Sequence, residues 1–349
     1  MPKVALPSGI ALRKIALDGL LVLALAAAYY LVGNIGLLLN LGNISVRLLW
    51  PPIGGALAAL LLLGMRAWPG ILLGSFLLNL LSLDRPPMAA LTVAAATTIG
   101  VLCGYWLLRR VGFRLELDRM RDLAALVVFG AVVGMTVATS LRVGALVLAD
   151  LEQPANYWAR WLLDWISSGI SVITLTPVFL LLPRIRWPRG LRPLRALEAV
   201  AAPSAAFLIM LVATRVNIEL LFLAFPVLIW AALRFRLAGA APCVLIVSLM
   251  AAVAAANGTG PFAGQDTYAK IITLQAFGGS AALTALVLAV TTTERNRATR
   301  EIEHTAVELV GVVRQLDRRL RPAVPLPRTP TDAPATGERR VVHEHVRRD

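Results

Sequence analysis

Long apolar stretches recur along most of the chain, and short segments that carry charged residues, proline or glycine separate them. A helix needs about twenty apolar residues to cross the hydrocarbon core of a bilayer, and most of these stretches approach that length. The pattern therefore predicts an all-α fold, a polytopic bundle of transmembrane helices. The predicted spans are 15–39, 48–64, 67–83, 88–108, 123–149, 158–182, 197–213, 218–235, 239–256 and 269–292.

These stretches give about ten spans, within a range of eight to ten. The stretch at 218–235 contains Glu219 and Pro226, which are unfavourable inside a regular transmembrane helix. We expect a half-helix or a kinked helix there.

The pattern changes after residue 292. An apolar seam with alternating spacings of four and three residues runs through 293–320, and it predicts a short parallel coiled coil that continues from the last span. An amphipathic helix lying on the inner leaflet is the alternative. The seam consists of Ile302, Ala306, Leu309, Val313, Leu316 and Leu320.

Four parts of the chain follow from these patterns. Residues 1–14 form a cytoplasmic N-terminal segment, and 15–292 form the integral-membrane domain. Residues 293–320 form a cytoplasmic amphipathic or coiled-coil helix. Residues 321–349 are rich in proline and polar residues, which predicts a disordered tail.

Composition supports the membrane assignment. Of 349 residues 58% are hydrophobic and only 15% are charged, and the mean hydropathy is +0.74. A soluble domain of this length needs more charge to cover its surface, so the bilayer is the expected surrounding. The first apolar stretch exceeds a signal-peptide core and lacks a small-residue cleavage site, which predicts an uncleaved first helix.

The basic residues behind the net charge of +14 are distributed according to the predicted topology. With the N-terminus in the cytoplasm, the inner connections carry 16 basic residues and the outer ones carry five. This asymmetry predicts that both termini are cytoplasmic. Because topology accounts for the basic excess, we expect no nucleic-acid partner.

Groups for catalysis or metal binding are sparse. Cys103 and Cys243 lie inside apolar stretches, and all three histidines follow residue 300. The chain contains no nucleophile–base motif, phosphate-binding loop or metal-ligand spacing. We therefore expect no enzymatic activity, no metal and no cofactor.

Five polar residues inside predicted spans are candidates for ligand binding. Asn79 either forms an interhelical hydrogen bond or binds a ligand. Arg142 and Asp164 lie on adjacent spans and form a structural ion pair, an anion site or a proton site. Ser168 and Ser171 belong to a hydroxyl-rich span, where they either bond carbonyls freed by the following proline or line a polar cavity.

Two Trp-Pro pairs bracket the second predicted span. Trp50, Pro51 and Pro52 predict a helix start with an aromatic anchor at the membrane interface, and Trp68 with Pro69 repeats the pattern. Eighteen residues of helix span roughly 27 Å, so the two tryptophans are predicted at opposite interfaces. We expect a tight hairpin whose cytoplasmic turn contains Arg66.

Four segments in order resemble the type-one membrane-associated sensor family of bacteria, abbreviated MASE. They are "LWPPIGGALAALLLLGMRAWPGILLGSFLLNLL", "DWISSGISVITLTPVFLL", "FPVLIWAALRF" and "GTGPFAGQDTYAKIITLQAFGGSAALTALVLAVTTTER", within about residues 10–297. The resemblance implies a sensor domain of about eight spans in the bacterial inner membrane, with both termini cytoplasmic. The residues that carry it are Trp50, Pro51, Pro52, Trp68, Pro69, Trp165, Pro177, Pro226, Arg234, Gly260 and Pro261.

This sequence departs from the family pattern in two respects. The family has an aspartate three residues after the tryptophan and a glycine six residues after it, where this chain has Ser168 and Ser171. If the family aspartate reads a signal, this protein either reads it differently or uses Asp164, one turn away, as the substitute. No kinase, cyclase or phosphodiesterase domain is recognisable, and His304 lies one position beyond the place of a kinase phosphoacceptor, so we expect no phosphotransfer.

The function predicted from these observations is a non-catalytic sensory module. It relays a signal from the membrane or periplasm through 293–320 to a partner signalling protein, or acts as a homodimer. A transporter or channel for a small solute is the first alternative, since prolines interrupt two spans near buried charges. A structural subunit of a membrane complex is the second.

Overall fold

Helices make up almost all of the structure, a computed structural model that describes residues 9–38, 49–184, 193–216 and 220–320. These residues contain no strand, and the predicted all-α architecture is confirmed. The α-helices of the described chain are α1 (Gly9–Leu37), α2 (Pro51–Leu63), α3 (Trp68–Leu77), α4 (Pro87–Arg110), α5 (Met120–Ala125), α6 (Met135–Leu148), α7 (Tyr157–Leu181), α8 (Pro193–Ala213), α9 (Ala224–Phe235), α10 (Leu237–Asn257) and α11 (Thr267–Leu320).

Seven helical stretches among the described residues are long and apolar enough to cross a membrane, which makes this a multi-pass membrane protein. The predicted count of about ten spans is not confirmed. Two further apolar stretches, Val200–Ala213 and Leu221–Phe235, are shorter. The seven are Arg13–Leu37, Pro51–Ser82, Pro87–Arg110, Met120–Leu148, Pro154–Leu181, Leu237–Asn257 and Thr267–Leu316.

One of these seven stretches, Pro51–Ser82, contains a reversal of the chain. Gly36 near the end of α1 faces Pro51 at the start of α2, while Arg66, just after α2, pairs with Asp18 near the start of α1 at 3.8 Å. Helix α2 therefore runs antiparallel to α1. Gly64 at the turn has a φ of +72°, a conformation that suits glycine.

Helix α3 then returns parallel to α1. Gly70 packs against Val22 of α1, and Gly74 packs against Ala26 one turn further along both helices. The predicted hairpin with Arg66 at its turn is therefore present. The prolines occupy the first turns of α2 and α3, as predicted.

Trp50 does not have the predicted position at a lipid interface. Its side chain is in the protein core with 3% exposure, whereas Trp68 is 40% exposed. The Trp50 backbone N–H donates to Ser171 Oγ on α7 at 2.8 Å. The interface-anchor prediction is wrong for Trp50 because α1 and α7 cover it.

Small residues bring α4 and α6 close together. Gly100 and Gly104 on α4 face Ala138 on α6 and the π-helical segment Leu126–Gly134 that precedes α6. A Cβ atom on Gly100 would lie 2.6 Å from the Ala138 backbone nitrogen. Such close backbone approach is the usual basis of helix association in membranes.

The connections define two ends of the bundle. The Arg85 end holds the connection 83–86 and the segment 149–156 between α6 and α7. The Arg297 end holds the segment 111–119 after α4, where Asp118 forms an ion pair with Arg297 of α11. At that end the Met120 N–H also donates to Glu294 Oε1 at 2.8 Å.

The chain divides into two compact units, Met1–Arg297 and Ala298–Asp349. The described part of the second unit is the remainder of α11, whose residues 298–316 are all exposed. Seam residues Ile302, Leu309 and Val313 are among them. The predicted disordered tail, 321–349, lies outside the described residues.

Replacing Gly100 with alanine should destabilise the membrane domain by about 1–3 kcal/mol, because the new methyl group overlaps the α6 backbone. Thermal unfolding of the purified protein in detergent measures the effect. Gly144→Ala on α6 is the matched control, since a Cβ there meets no atom within 4 Å. Equal unfolding temperatures for the two variants would contradict the tight α4–α6 contact.

Candidate functional site

A buried ion pair joins α6 and α7. Arg142 donates from Nε and Nη2 to Asp164 Oδ2, at 2.7 and 2.6 Å. The two side chains are only 3% and 10% exposed. Arg142 lies about 9 Å inside the end of α6, at 1.5 Å rise per residue. A charged pair at this depth needs the protein to supply its polar partners.

Two hydroxyl groups complete part of the Arg142 surroundings. Nη2 also donates to Ser168 Oγ at 3.1 Å and lies 3.5 Å from Thr139 Oγ1. Nη1 is buried and has no hydrogen-bond partner among the described residues. The guanidinium group therefore retains a donor that the surrounding protein does not use.

Tryptophan hydrogen bonds set the alignment of α6 and α7. Trp165 Nε1 donates to Thr136 Oγ1 and Trp161 Nε1 donates to Ser140 Oγ, both at 3.0 Å. The numbering shows that the helices are antiparallel, with the ion pair beside these bonds. The rings of Trp161 and Trp165 stack with centroids 5.7 Å apart. These hydrogen bonds and the stacked rings hold Arg142 opposite Asp164.

Asn79 positions a second arginine. Arg85 Nη1 donates to Asn79 Oδ1 at 2.7 Å, while Asn79 Nδ2 donates to the Ser75 carbonyl at 2.7 Å. Asn79 belongs to a π-helical turn, Leu78–Ser82, a geometry that is common at functional sites. Asp84 in the following connection has a φ of +48°, and this turn directs the chain back so that Arg85 meets Asn79.

Arg85 interacts electrostatically with the charges of the ion pair. Burial lowers the Arg85 pKa to about 10, and repulsion from Arg160 and Arg142 contributes, while Asp164 raises it. Arg85 stays protonated at neutral pH because this value is well above 7.

Arg160 at the start of α7 lies 3.6 Å from Glu152. We call Arg85, Arg142, Arg160, Glu152 and Asp164 the arginine cluster: three cations and two carboxylates, at the Arg85 end.

The structure brings together four of the five ligand-binding candidates from the sequence. Asn79, Arg142, Asp164 and Ser168 belong to or contact the arginine cluster. Ser171 does not, because its Oγ accepts from the Trp50 N–H and donates to the Ser167 carbonyl.

Sequence reasoning did not identify Arg85 and Arg160 as candidates for the site. Both were counted only as charges in connections between spans. The available signal was the position of Arg85, six residues after Asn79 and directly before the prolines that open α4.

The other family-motif residues lie outside the arginine cluster. Thr176, beside Pro177 in α7, donates to the Gly54 carbonyl of α2 at 3.1 Å. Pro226 lies in the first turn of α9, and Arg234 in its last turn pairs with Glu198. Gly260 has a φ of +61° and contacts Thr214, and Pro261 is buried beside it. His304 is exposed and lies 3.4 Å from Glu308.

A separate groove of about 630 Å³ lies among α1, α2, α3 and the end of α7. Its walls are apolar and include Leu25, Val32, Ala59, Leu62 and Phe179. None of the residues that line the groove is charged.

A family model, MASE1, matches residues 20–296. The chain belongs to the MASE1 family. MASE1 domains are membrane-associated sensor domains, and the match ends one residue before the boundary of the first compact unit. The whole arginine cluster lies within the matched region. No curated protein and no solved structure matches the chain.

The departure of this MASE1 chain from the family pattern has a geometric counterpart. The family aspartate corresponds to position 168, and both Ser168 and Asp164 contact the Arg142 guanidinium. Asp164 and Ser168 thus approach the same cation from neighbouring turns of α7. The substitution of Asp164 for the family aspartate stays a prediction.

Asp164→Asn should lower the stability of the membrane domain by about 3 kcal/mol or more, because it leaves a buried guanidinium without its counter-charge. The double variant Asp164→Asn/Ser168→Asp should recover most of that loss. Thermal or denaturant unfolding in detergent measures both.

The matched control is Glu198→Gln, which breaks an exposed ion pair with the same 2.6 Å separation from Arg234. Its two side chains are 39% and 49% exposed, so the loss should stay below about 1 kcal/mol. The prediction that a carboxylate at position 168 can replace Asp164 would be wrong if Ser168→Asp failed to recover stability in the Asp164→Asn background.

Proposed function

We propose that this MASE1 protein is a non-catalytic sensory module that relays a signal to a partner through α11. The observation that carries the proposal is α11 itself, an unbroken helix from Thr267 to Leu320. Its first part is buried in the bundle, with Ala282, Ala285 and Ala289 in the core. Residues 298–316 are exposed and present the apolar seam.

A continuous helical stretch connects the arginine cluster to α11. The stretch Met120–Leu148 holds Arg142 near one end, and at its other end Met120 bonds Glu294 of α11. The ion pair between Asp118 and Arg297 adds a second link. We propose that a shift of this stretch at the arginine cluster displaces α11 at the Arg297 end.

The π-helical segment Leu126–Gly134 divides that stretch between Met120 and Arg142. A π-helix adds a residue to the helical repeat, so it converts back to regular helix with a change in register. We propose that this segment is the element that changes geometry during signalling.

We propose that the protein resides in a bacterial inner membrane, with the Arg297 end in the cytoplasm. Arg66, Arg114 and Arg119 lie in connections at that end, and Arg109 and Arg110 end α4 there. The positive-inside rule favours this orientation. The Arg85 end then faces the periplasm, where an extracytoplasmic stimulus reaches it.

The partner is proposed to be a second copy of this chain or a signalling protein with a matching helix. The exposed residues Ile302, Leu309, Val313 and Leu316 lie at heptad spacing, which is the spacing that paired parallel helices bury. An amphipathic helix on the inner leaflet would place the same residues in lipid.

Leu309→Cys should form a disulfide-linked dimer in membranes, whereas Val307→Cys should not. Both positions are exposed in the single chain, but only Leu309 belongs to the seam. Cross-linking is measured on non-reducing gels in a background in which Cys103 and Cys243 are alanine. Equal cross-linking of the two variants would favour the membrane-surface helix, and no cross-linking in either would rule out a second copy of this chain as the partner.

Deleting 298–349 should leave a folded membrane protein that no longer recovers its partners in pull-downs. The first unit holds its core without the second, so thermal unfolding in detergent should change little. Recovery of the same partners with and without this segment would end the proposed role of α11.

Transport of a small solute is the second candidate, because a charged cluster buried between helices also suits a substrate pathway. Solute flux into liposomes that disappears in Arg142→Ala would favour transport over sensing. A stoichiometric partner that always copurifies would instead favour a structural subunit.

A further inference from the structure

We propose that the arginine cluster binds a small oxyanion, a carboxylate or phosphate group, that enters at the Arg85 end. The geometry of the cluster is the basis for the proposed binding of the anion. Its role as the stimulus rests on the proposed sensory function.

The first argument is the unused donor of Arg142. Asp164 accepts from Nε and Nη2, and Ser168 also accepts from Nη2, so these groups occupy one edge of the guanidinium. Nη1 is buried with no partner among the described residues. A buried donor without an acceptor is destabilising, and a bound acceptor would satisfy it.

The second argument is the excess of positive charge. Glu152 lies 3.6 Å from Arg160, and Asp164 forms its ion pair with Arg142. The hydrogen-bond acceptor of Arg85 is the neutral amide of Asn79. Burial lowers the Arg85 pKa, and repulsion from Arg160 and Arg142 lowers it further, although Asp164 partly offsets this. An anion among the three cations would remove this repulsion.

The third argument concerns the kind of anion. Guanidinium groups bind carboxylate and phosphate oxygens through two parallel hydrogen bonds, a geometry that a spherical ion such as chloride does not use. Asn79 and Asp164 hold Arg85 and Arg142 in place before any ligand arrives. Preorganised donors lose little side-chain entropy on binding, so a small anion is sufficient.

The oxyanion has two sources with the same chemistry, a free anion in the periplasm or the phosphate of an anionic lipid. The binding experiment uses the full chain in a phosphate-free detergent, with inorganic phosphate and succinate as separate probes at constant ionic strength. Calorimetric titration should show saturable binding of at least one probe. Arg85→Gln should weaken it tenfold or more.

Arg215→Gln is the matched control, since Arg215 is an exposed arginine of another connection. It should bind as the unmodified protein does. Arg85→Lys should retain part of the affinity because it keeps the charge. The proposal is overturned if neither probe binds saturably and anionic lipid gives no Arg85-dependent stabilisation, or if Arg85→Gln and Arg215→Gln bind the probes equally well.

Nanodiscs distinguish the two sources. If phosphatidylglycerol raises the unfolding temperature relative to phosphatidylcholine, and Arg85→Gln removes that gain, the oxyanion comes from lipid. If only the free probes depend on Arg85, it comes from solution. Both outcomes support the oxyanion site.

The same titration separates this site from the proposed function. Cross-linking at Leu309→Cys that changes with the bound probe supports both. Probe binding without any change in cross-linking keeps the site and contradicts its sensory role. Loss of partners on deletion of 298–349, with neither probe binding nor an Arg85-dependent lipid effect, keeps the sensory function and overturns the site.

Discussion

The buried guanidinium of Arg142 is the constraint on which much of this bundle depends. In a medium that cannot solvate charge, its counter-ion and hydroxyl partners must come from α6 and α7. The alignment of those helices is consequently fixed by Trp161 and Trp165, which bond the α6 hydroxyls. Gly100 then allows α4 to approach α6 closely.

Much of the fold could be predicted because a helix that crosses the bilayer needs an apolar run of a given length. The apolar stretches and the turn at Arg66 therefore follow from the order of residues. Asn79, Arg142, Asp164 and Ser168 could be predicted for a related reason: a polar residue in an apolar run is costly and must have partners. The span count could not, because α2, α9 and the apolar part of α8 are shorter than the stretch of about twenty apolar residues that a span needs.

The positions of Arg85 and Trp50 in the structure could not be predicted from the sequence pattern. A charge in a connection carries no penalty, so only the π-helical turn at Asn79 and the left-handed Asp84 bring Arg85 to the cluster. A tryptophan at the start of a span suits either lipid or the protein interior. The choice for Trp50 is made by α1 and α7, which pack over it through Gly36 and Ser171. Both outcomes depend on contacts between distant segments.

The arrangement of donors on Arg142 determines what a bound anion does to the helices. Because Asp164 occupies Nε and Nη2, an oxyanion at Nη1 adds to the ion pair and leaves it in place. The anion would therefore draw the Arg85 connection towards α6, while α6 and α7 stay joined. Since Met120 lies on the same helical stretch and bonds Glu294, the resulting displacement has a direct mechanical route to α11.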